Sequence, residues 1–395
     1  MQQLLLKTFI MLVVIALSMH AQAQSLLVEK QRFEMPSFTF FNGKTISNVT
    51  VGWESYGELN AAKDNVILIT HYFTGNSHAA GKYHPDDPAP GYWDAIIGPG
   101  KAIDTDRFFV ISVDSLANLG VHDPKVITTG PASINPTTGK PYGLAFPVIT
   151  MRDLVNVQKA LLESLGIQQL YAVAGPSMGS MQAIEWASAY PAWIPRLISV
   201  IGAAHADAWT TTFLERWALP IKIDPNWQKG DYYESQPPLA GLTAALMFIT
   251  QDALTPAYFN QQGETLKHQS LAPDVLNDIN AEHVITAWLR KRAEARAQSM
   301  DANHLLYLVR ACQLFLTGQG QDLATGLARI QAKTLFIPAT DDLLLMPYHA
   351  REAHQSLVAN QSDSQYVELQ GDLGHLEGVI GIAKHAETIR QFLQD

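Results

Sequence analysis

The sequence predicts an α/β fold, with a mostly parallel sheet, helices on both faces and a helical insertion between two strands. Three observations lead there. Short apolar runs of strand length alternate with longer stretches whose apolar residues recur every three or four positions. The stretch from Tyr171 to Ala183 passes from an apolar strand through Gly175-Pro176-Ser177-Met178-Gly179 into a helix. The alternation lapses at His205 and resumes just after Ala328.

At the start of the chain, Lys7 precedes an apolar run from Thr8 to Met19, followed by Ala21-Gln22-Ala23. This is the pattern of a secretory signal peptide cleaved after Ala23. The run falls short of the roughly 18 residues that cross a bilayer, and no cysteine stands at the cut to carry a lipid. A periplasmic or secreted protein without a stable membrane anchor is expected. The fold then occupies residues 24–204 and 329–395, with the helical insertion, or lid, at 205–328.

Asn42-Gly43 between residues 37–41 and the β-branched run 45–56 predicts a hairpin. Residues 65–70 and 108–113 are buried strands, and Gly98-Pro99-Gly100 between them breaks regular structure. Residues 114–147, rich in Gly, Pro, Thr and Asn, form a long irregular segment of the kind that shapes a site. Residues 152–165 have helical spacing, and 197–202 is a strand. Within the insertion, 242–249, 281–298 and 303–316 are helical. The final alternation is strand 334–338, helix 348–358, strand 365–369 and a closing helix from 382 to 393.

Composition removes several functions. Hydrophobic residues make up 47% of the chain and charged ones 16%, enough apolar surface for a large core. The net charge of −10, without a basic run, argues against a nucleic-acid partner. Cys312 stands alone, so no disulfide forms within the chain, and no Cys/His spacing suggests a metal. No cofactor is expected.

The chemistry lies at strand ends. A serine hydroxyl needs a base, and the base needs an orienting carboxylate. In open α/β sheets such groups gather at the carboxyl ends of the strands. Ser177 follows one strand, Asp341-Asp342 another, and His375 a third, in the chain order that this architecture demands. Only one of the two aspartates can orient the base; the other is a turn residue or a helix cap. The amides of Met178, opening its helix, and of Phe73, after strand 65–70, are placed to hold an oxyanion. His71 and His78 flank that strand end and are expected to hydrogen-bond loop backbone rather than react.

From residue 51 to the C-terminus the chain resembles the homoserine O-acetyltransferase family of α/β-hydrolase-fold enzymes. The resemblance rests on the phrases from Gly98 to Val110, Gly130 to Gly143 and Asp224 to Tyr233, on Ser177-Met178-Gly179 with Met181-Gln182-Ala183, and on Asp301-Ala302-Asn303. It implies Ser177 as nucleophile, Asp342 and His375 as its partners, Phe73 and Met178 as oxyanion donors, and Arg216 as the holder of the acceptor's carboxylate. It implies a small-molecule acyl donor, ester or thioester, a hydroxyl acceptor or water, and a homodimer contact through the lid. The chain departs from the family in four places. Leu376 replaces an aspartate that contacts the acceptor's ammonium. Residues 115–129 replace a Gly-rich loop. Pro176 and Ser180 stand at glycine positions. The family's donor, acetyl-CoA, is cytosolic, which an exported protein would not meet. Acyl transfer is therefore expected, with transfer to water as the alternative.

Overall fold

The computed structural model describes residues 26–266 and 273–394. The signal sequence expected over residues 1–23 lies outside them.

The strands are β1 (Gln31–Thr39), β2 (Thr45–Tyr56), β3 (Val66–Ile69), the short pair β4 (Ile97–Gly98) and β5 (Ile103–Asp104), β6 (Phe109–Val113), β7 (Ala172–Pro176), β8 (Arg196–Val200), β9 (Lys333–Ile337) and β10 (Ser364–Tyr366). Eight of them form one sheet in the order β1-β2-β6-β3-β7-β8-β9-β10. The β1–β2 and β2–β6 pairs are antiparallel and the rest parallel. β3 shows why the central runs are uniformly apolar. Val66 and Leu68 join the cluster on one face of the sheet, Ile67 and Ile69 the cluster on the other.

Helices α1 (Met151–Ser164) and α2 (Met178–Ala189) cover the first face, and α10 (Ala386–Gln394) the second. Thr150 starts α1 with a capping box: its side chain accepts from the Asp153 amide, and the Asp153 carboxylate accepts from the Thr150 amide at 2.8 Å. Between β8 and β9 run α3 (Ala208–Ile223), α4 (Leu239–Asp252), α5 (Pro256–Thr265), α6 (Val284–Ala297), α7 (Ala302–Gln313) and α8 (Leu323–Ala328). The two ends of this insertion meet, with His205 bridged to Leu316 and the Thr317 amide donating to Ala204 at 3.0 Å. No helix among the described residues is long and apolar enough to cross a membrane.

Some elements differ from expectation. β1 begins at Gln31, because Pro36 is tolerated in an edge strand whose outer amides need no partner. α3, with three consecutive threonines and Pro220 inside it, had no helical signature. Strand 365–369 shortens to β10, with only an isolated bridge from Leu369 to Ala339 beyond it. The closing helix breaks into a 3-10 turn at Ile382–His385 before α10. α9 (Pro347–Ala359) has Met346 at its N-cap, so neither Asp341 nor Asp342 caps it.

Candidate active site

The turn between β7 and α2 forces the serine outward. Ser177 has φ +59° and ψ −121°, a conformation costly to any side-chain-bearing residue. Its amide donates to the Val200 carbonyl at 2.9 Å, which locks the turn against β8. The two flanking glycines are required by contact. A Cβ on Gly175 would lie 2.1 Å from Thr70 Oγ1, and one on Gly179 would lie 2.1 Å from the Thr70 carbonyl oxygen. The Thr70 hydroxyl donates to the Gly179 carbonyl at 2.7 Å, tying the end of β3 to the first turn of α2.

Three distant residues meet here. His375 Nε2 lies 2.7 Å from Ser177 Oγ, and His375 Nδ1 lies 2.6 Å from Asp342 Oδ2. Asp342 Oδ1 accepts the amides of Leu344 and Leu345 at 2.8 and 3.0 Å, which fixes the carboxylate toward the imidazole. Asp342 is buried, whereas Asp341 is exposed. Ser177 and His375 are only 7% and 5% exposed, so the pair is screened from bulk water. As Oγ attacks a carbonyl, this geometry can pass the serine proton to His375 and on to a leaving group.

Phe73 and Met178 both line the cavity above Ser177. Among the described residues neither amide is engaged in a hydrogen bond. The loop that carries Phe73 is held from behind by His71, which is fully buried. His71 Nε2 accepts the Ser115 amide at 3.1 Å, so its proton sits on Nδ1, which donates to the Tyr72 carbonyl at 2.8 Å. Burial pushes this imidazole below its ordinary range and keeps it neutral. Asn118 adds a bond to the Gly75 carbonyl at 3.0 Å. The irregular segment 114–147 thus buttresses the loop that carries Phe73. His78 lies outside this core, 3.0 Å from Glu54 Oε2.

The roof comes from the insertion. Leu214 and Trp217 of α3, Ile249 of α4 and Cys312 of α7 close over the serine, with Leu344, Leu345 and Leu376 at the side. Leu214 and Trp217 carry no signal in the sequence, because the threonines and Pro220 of α3 mask its helical spacing. His375 lines the wall, but no Asp, Glu, Lys or Arg does. The cavity has a volume of about 70 Å3. Arg216 is not brought to the serine. It ion-pairs with Asp252 of α4, stacks over Phe213 at 4.5 Å and is 46% exposed. Its neighbour Trp217 turns inward, donating to the other Asp252 oxygen at 2.7 Å and packing 5.3 Å from the Phe73 ring. Among the described residues no cluster of His, Cys, Asp and Glu could hold a metal ion.

The phrases that carry the resemblance act mainly as clips. Asp301 caps α7 and accepts the Tyr232 hydroxyl at 2.7 Å, while Asn303 donates to the Gly230 carbonyl at 2.9 Å. His304 joins the insertion to segment 114–147, accepting the Ala132 amide at 3.1 Å. A Cβ on Gly130 would come within 2.5 Å of that imidazole.

Comparison with known proteins agrees with this architecture. Residues 65–376 match the alpha/beta hydrolase fold family. A homoserine O-acetyltransferase from Methanococcoides burtonii is 39% identical over 86% of this chain and 68% of its own length. The crystal structure of a homoserine O-acetyltransferase from Bacillus anthracis superposes with a TM-score of 0.89 at 35% identity, covering 93% of this chain and 98% of that one. The crystal structure of a protein named esterase E22 superposes with a TM-score of 0.92 at 68% identity, covering 93% of this chain and all of that one.

Proposed function

Since the chain belongs to the homoserine O-acetyltransferase family of α/β-hydrolase-fold proteins and is an acyl-transfer enzyme of that fold, we propose that it works through an acyl-Ser177 intermediate and that its acyl acceptor is water. Ser177 Oγ attacks the carbonyl of a short-chain ester. The new C–O bond forms while the proton moves to His375, held by Asp342, and the amides of Phe73 and Met178 receive the oxyanion. The bond to the alcohol then breaks, and the alcohol leaves with the proton from His375. Water, deprotonated by the same imidazole, releases the carboxylic acid and restores the serine.

The observation that carries the choice of water is the uncharged wall of the cavity. Leu376 adjoins His375 where the family resemblance implies an aspartate for the acceptor's ammonium. An amino-acid alcohol would bring an ammonium beside Leu376, where no carboxylate pairs it, and burying an unpaired charge is costly. The name of the 68% identical relative agrees with this reading. The small cavity supports a short acyl group. A second reading, transfer to an alcohol, is favoured by the helical roof, which limits the entry of water.

Partition of the acyl group decides between them. With p-nitrophenyl acetate as donor, acetate alone is expected with or without added homoserine. O-acetylhomoserine as the main product would overturn the choice of water.

Two further parts of the proposal rest on separate features. The N-terminal pattern supports export, with Gln24 as the first residue of the mature chain; N-terminal sequencing of the protein from its native host tests it. Trp209, Leu219 and Ile223 are exposed on α3, which supports a contact between two copies through the insertion; light scattering tests it.

A further inference from the structure

Helix α6 treats its arginines unequally. Arg290 is paired twice, with Glu282 at 2.7 Å and Glu294 at 2.6 Å. Arg292 and Arg296, one turn apart, line instead a cleft that continues from the catalytic cavity. The two spaces share Tyr72, Thr74, Leu376 and Val379 along a common wall. Among the described residues neither of these guanidinium groups meets a carboxylate. Arg296 donates to the Thr250 hydroxyl at 3.0 Å, and Arg292 lies 5.1 Å above the Trp288 ring.

Like charges four residues apart on a helix repel each other. Burial disfavours the Arg296 cation, the neighbouring Tyr72 hydroxyl partly offsets this, and the Arg292 charge adds to it. A chain with net charge −10 therefore keeps two unneutralised guanidinium groups at the mouth of an otherwise uncharged site. An oxyanion would answer both, and the planar guanidinium fork matches carboxylate and phosphate geometry.

We propose that Arg292 and Arg296 form a subsite for an oxyanion, carboxylate or phosphate, carried on the alcohol half of the ester substrate. This rests on the ester-cleavage reading above. The departing alcohol oxygen takes its proton from His375 Nε2, so that half of the substrate lies on the His375 side. Leu376, the next residue, lines both spaces and leads from one to the other. The inner cavity suits a short acyl group, and the cleft takes the longer, charged remainder.

Three acetate esters of similar length test this: 4-acetoxybutanoate, 3-acetoxypropyl phosphate and the neutral 4-acetoxybutanamide. The quantity read is the ratio of kcat/KM for each anion to that for the amide, in wild type and in Arg292→Gln/Arg296→Gln. Wild type is expected to favour one of the anions by about tenfold or more, with the ratio falling toward one in the variant; the better anion identifies the group. A wild-type ratio near one, or a ratio unchanged by the substitutions, overturns the subsite. Calorimetric titration of 4-hydroxybutanoate and 3-hydroxypropyl phosphate gives a readout without turnover. If none of the esters is cleaved, the ester reading fails, and the titration still decides the subsite. Saturable binding that is lost in the double variant supports it, and no binding of either alcohol overturns it.

Discussion

Gly179→Ala is a small substitution with a large expected effect. The added methyl group would sit 2.1 Å from the Thr70 carbonyl oxygen, 2.8 Å from its carbon and 3.0 Å from the His71 carbonyl oxygen. All three are backbone atoms, so no side chain can swing away. Restoring ordinary contact requires α2 and the end of β3 to separate by about 1 Å. Thr70 is also bound through its hydroxyl to Gly179, so the movement passes directly into the loop that carries Phe73. An oxyanion donor works only within about 2.7–3.1 Å of the developing charge, and loss of one costs about 10²–10³ in kcat. Overpacking costs stability about 1–3 kcal/mol, which a chain with a core of this size should survive. The assay is kcat on p-nitrophenyl acetate beside a urea unfolding curve. A folded variant with kcat within about threefold of wild type would refute the assignment of the Phe73 amide.

Three other outcomes follow from the same structure. Asp342→Asn should keep the fold, since its remaining carbonyl oxygen can accept the Leu344 and Leu345 amides, but lower kcat by about 10³–10⁴ by favouring the wrong imidazole tautomer; steady-state kinetics with circular dichroism checks this. Leu376→Asp should raise the share of acyl groups transferred to homoserine rather than water, measured as product ratio, and no change would mean that the acceptor sits elsewhere. Glu54 is pulled down to about 2, since burial alone would raise it but the His78 hydrogen bond and the Lys30 charge outweigh burial. The folded state prefers its ionised form, so this stability is present above the ordinary glutamate range and is lost as pH falls toward 2. It amounts to at most about 3 kcal/mol. Urea midpoints at about pH 6 and about pH 3 should therefore differ less in Glu54→Gln than in wild type.

What was legible in the sequence was what is local. The nucleophile turn is written in seven consecutive residues from Ala174 to Ser180, and its strand and helix flank it directly. The strand ends that deliver Asp342 and His375 follow from the alternation of elements. Choosing Asp342 over Asp341 took the resemblance, because burial separates the two and burial is a tertiary property. The cavity wall was not legible. Thr210, Leu214 and Trp217 recur at helical spacing on α3, but threonines and Pro220 hide the helix that gives the spacing meaning. Arg216 shows the opposite failure. A motif match placed it beside the substrate, and one step along the helix turns it outward to Asp252 while Trp217 faces inward. The pair Arg292 and Arg296 could be seen only once Arg290 had been found to use the nearby acids.

Ser177 alone carries the acyl group in the proposed mechanism. Rapid acid quench after mixing with p-nitrophenyl acetate, followed by peptide mass mapping, tests it most directly. One acetyl group is expected on the peptide containing Ser177 in wild type, and none in Ser177→Ala. Acetylation of another residue on the turnover timescale, or full turnover in Ser177→Ala, would contradict it.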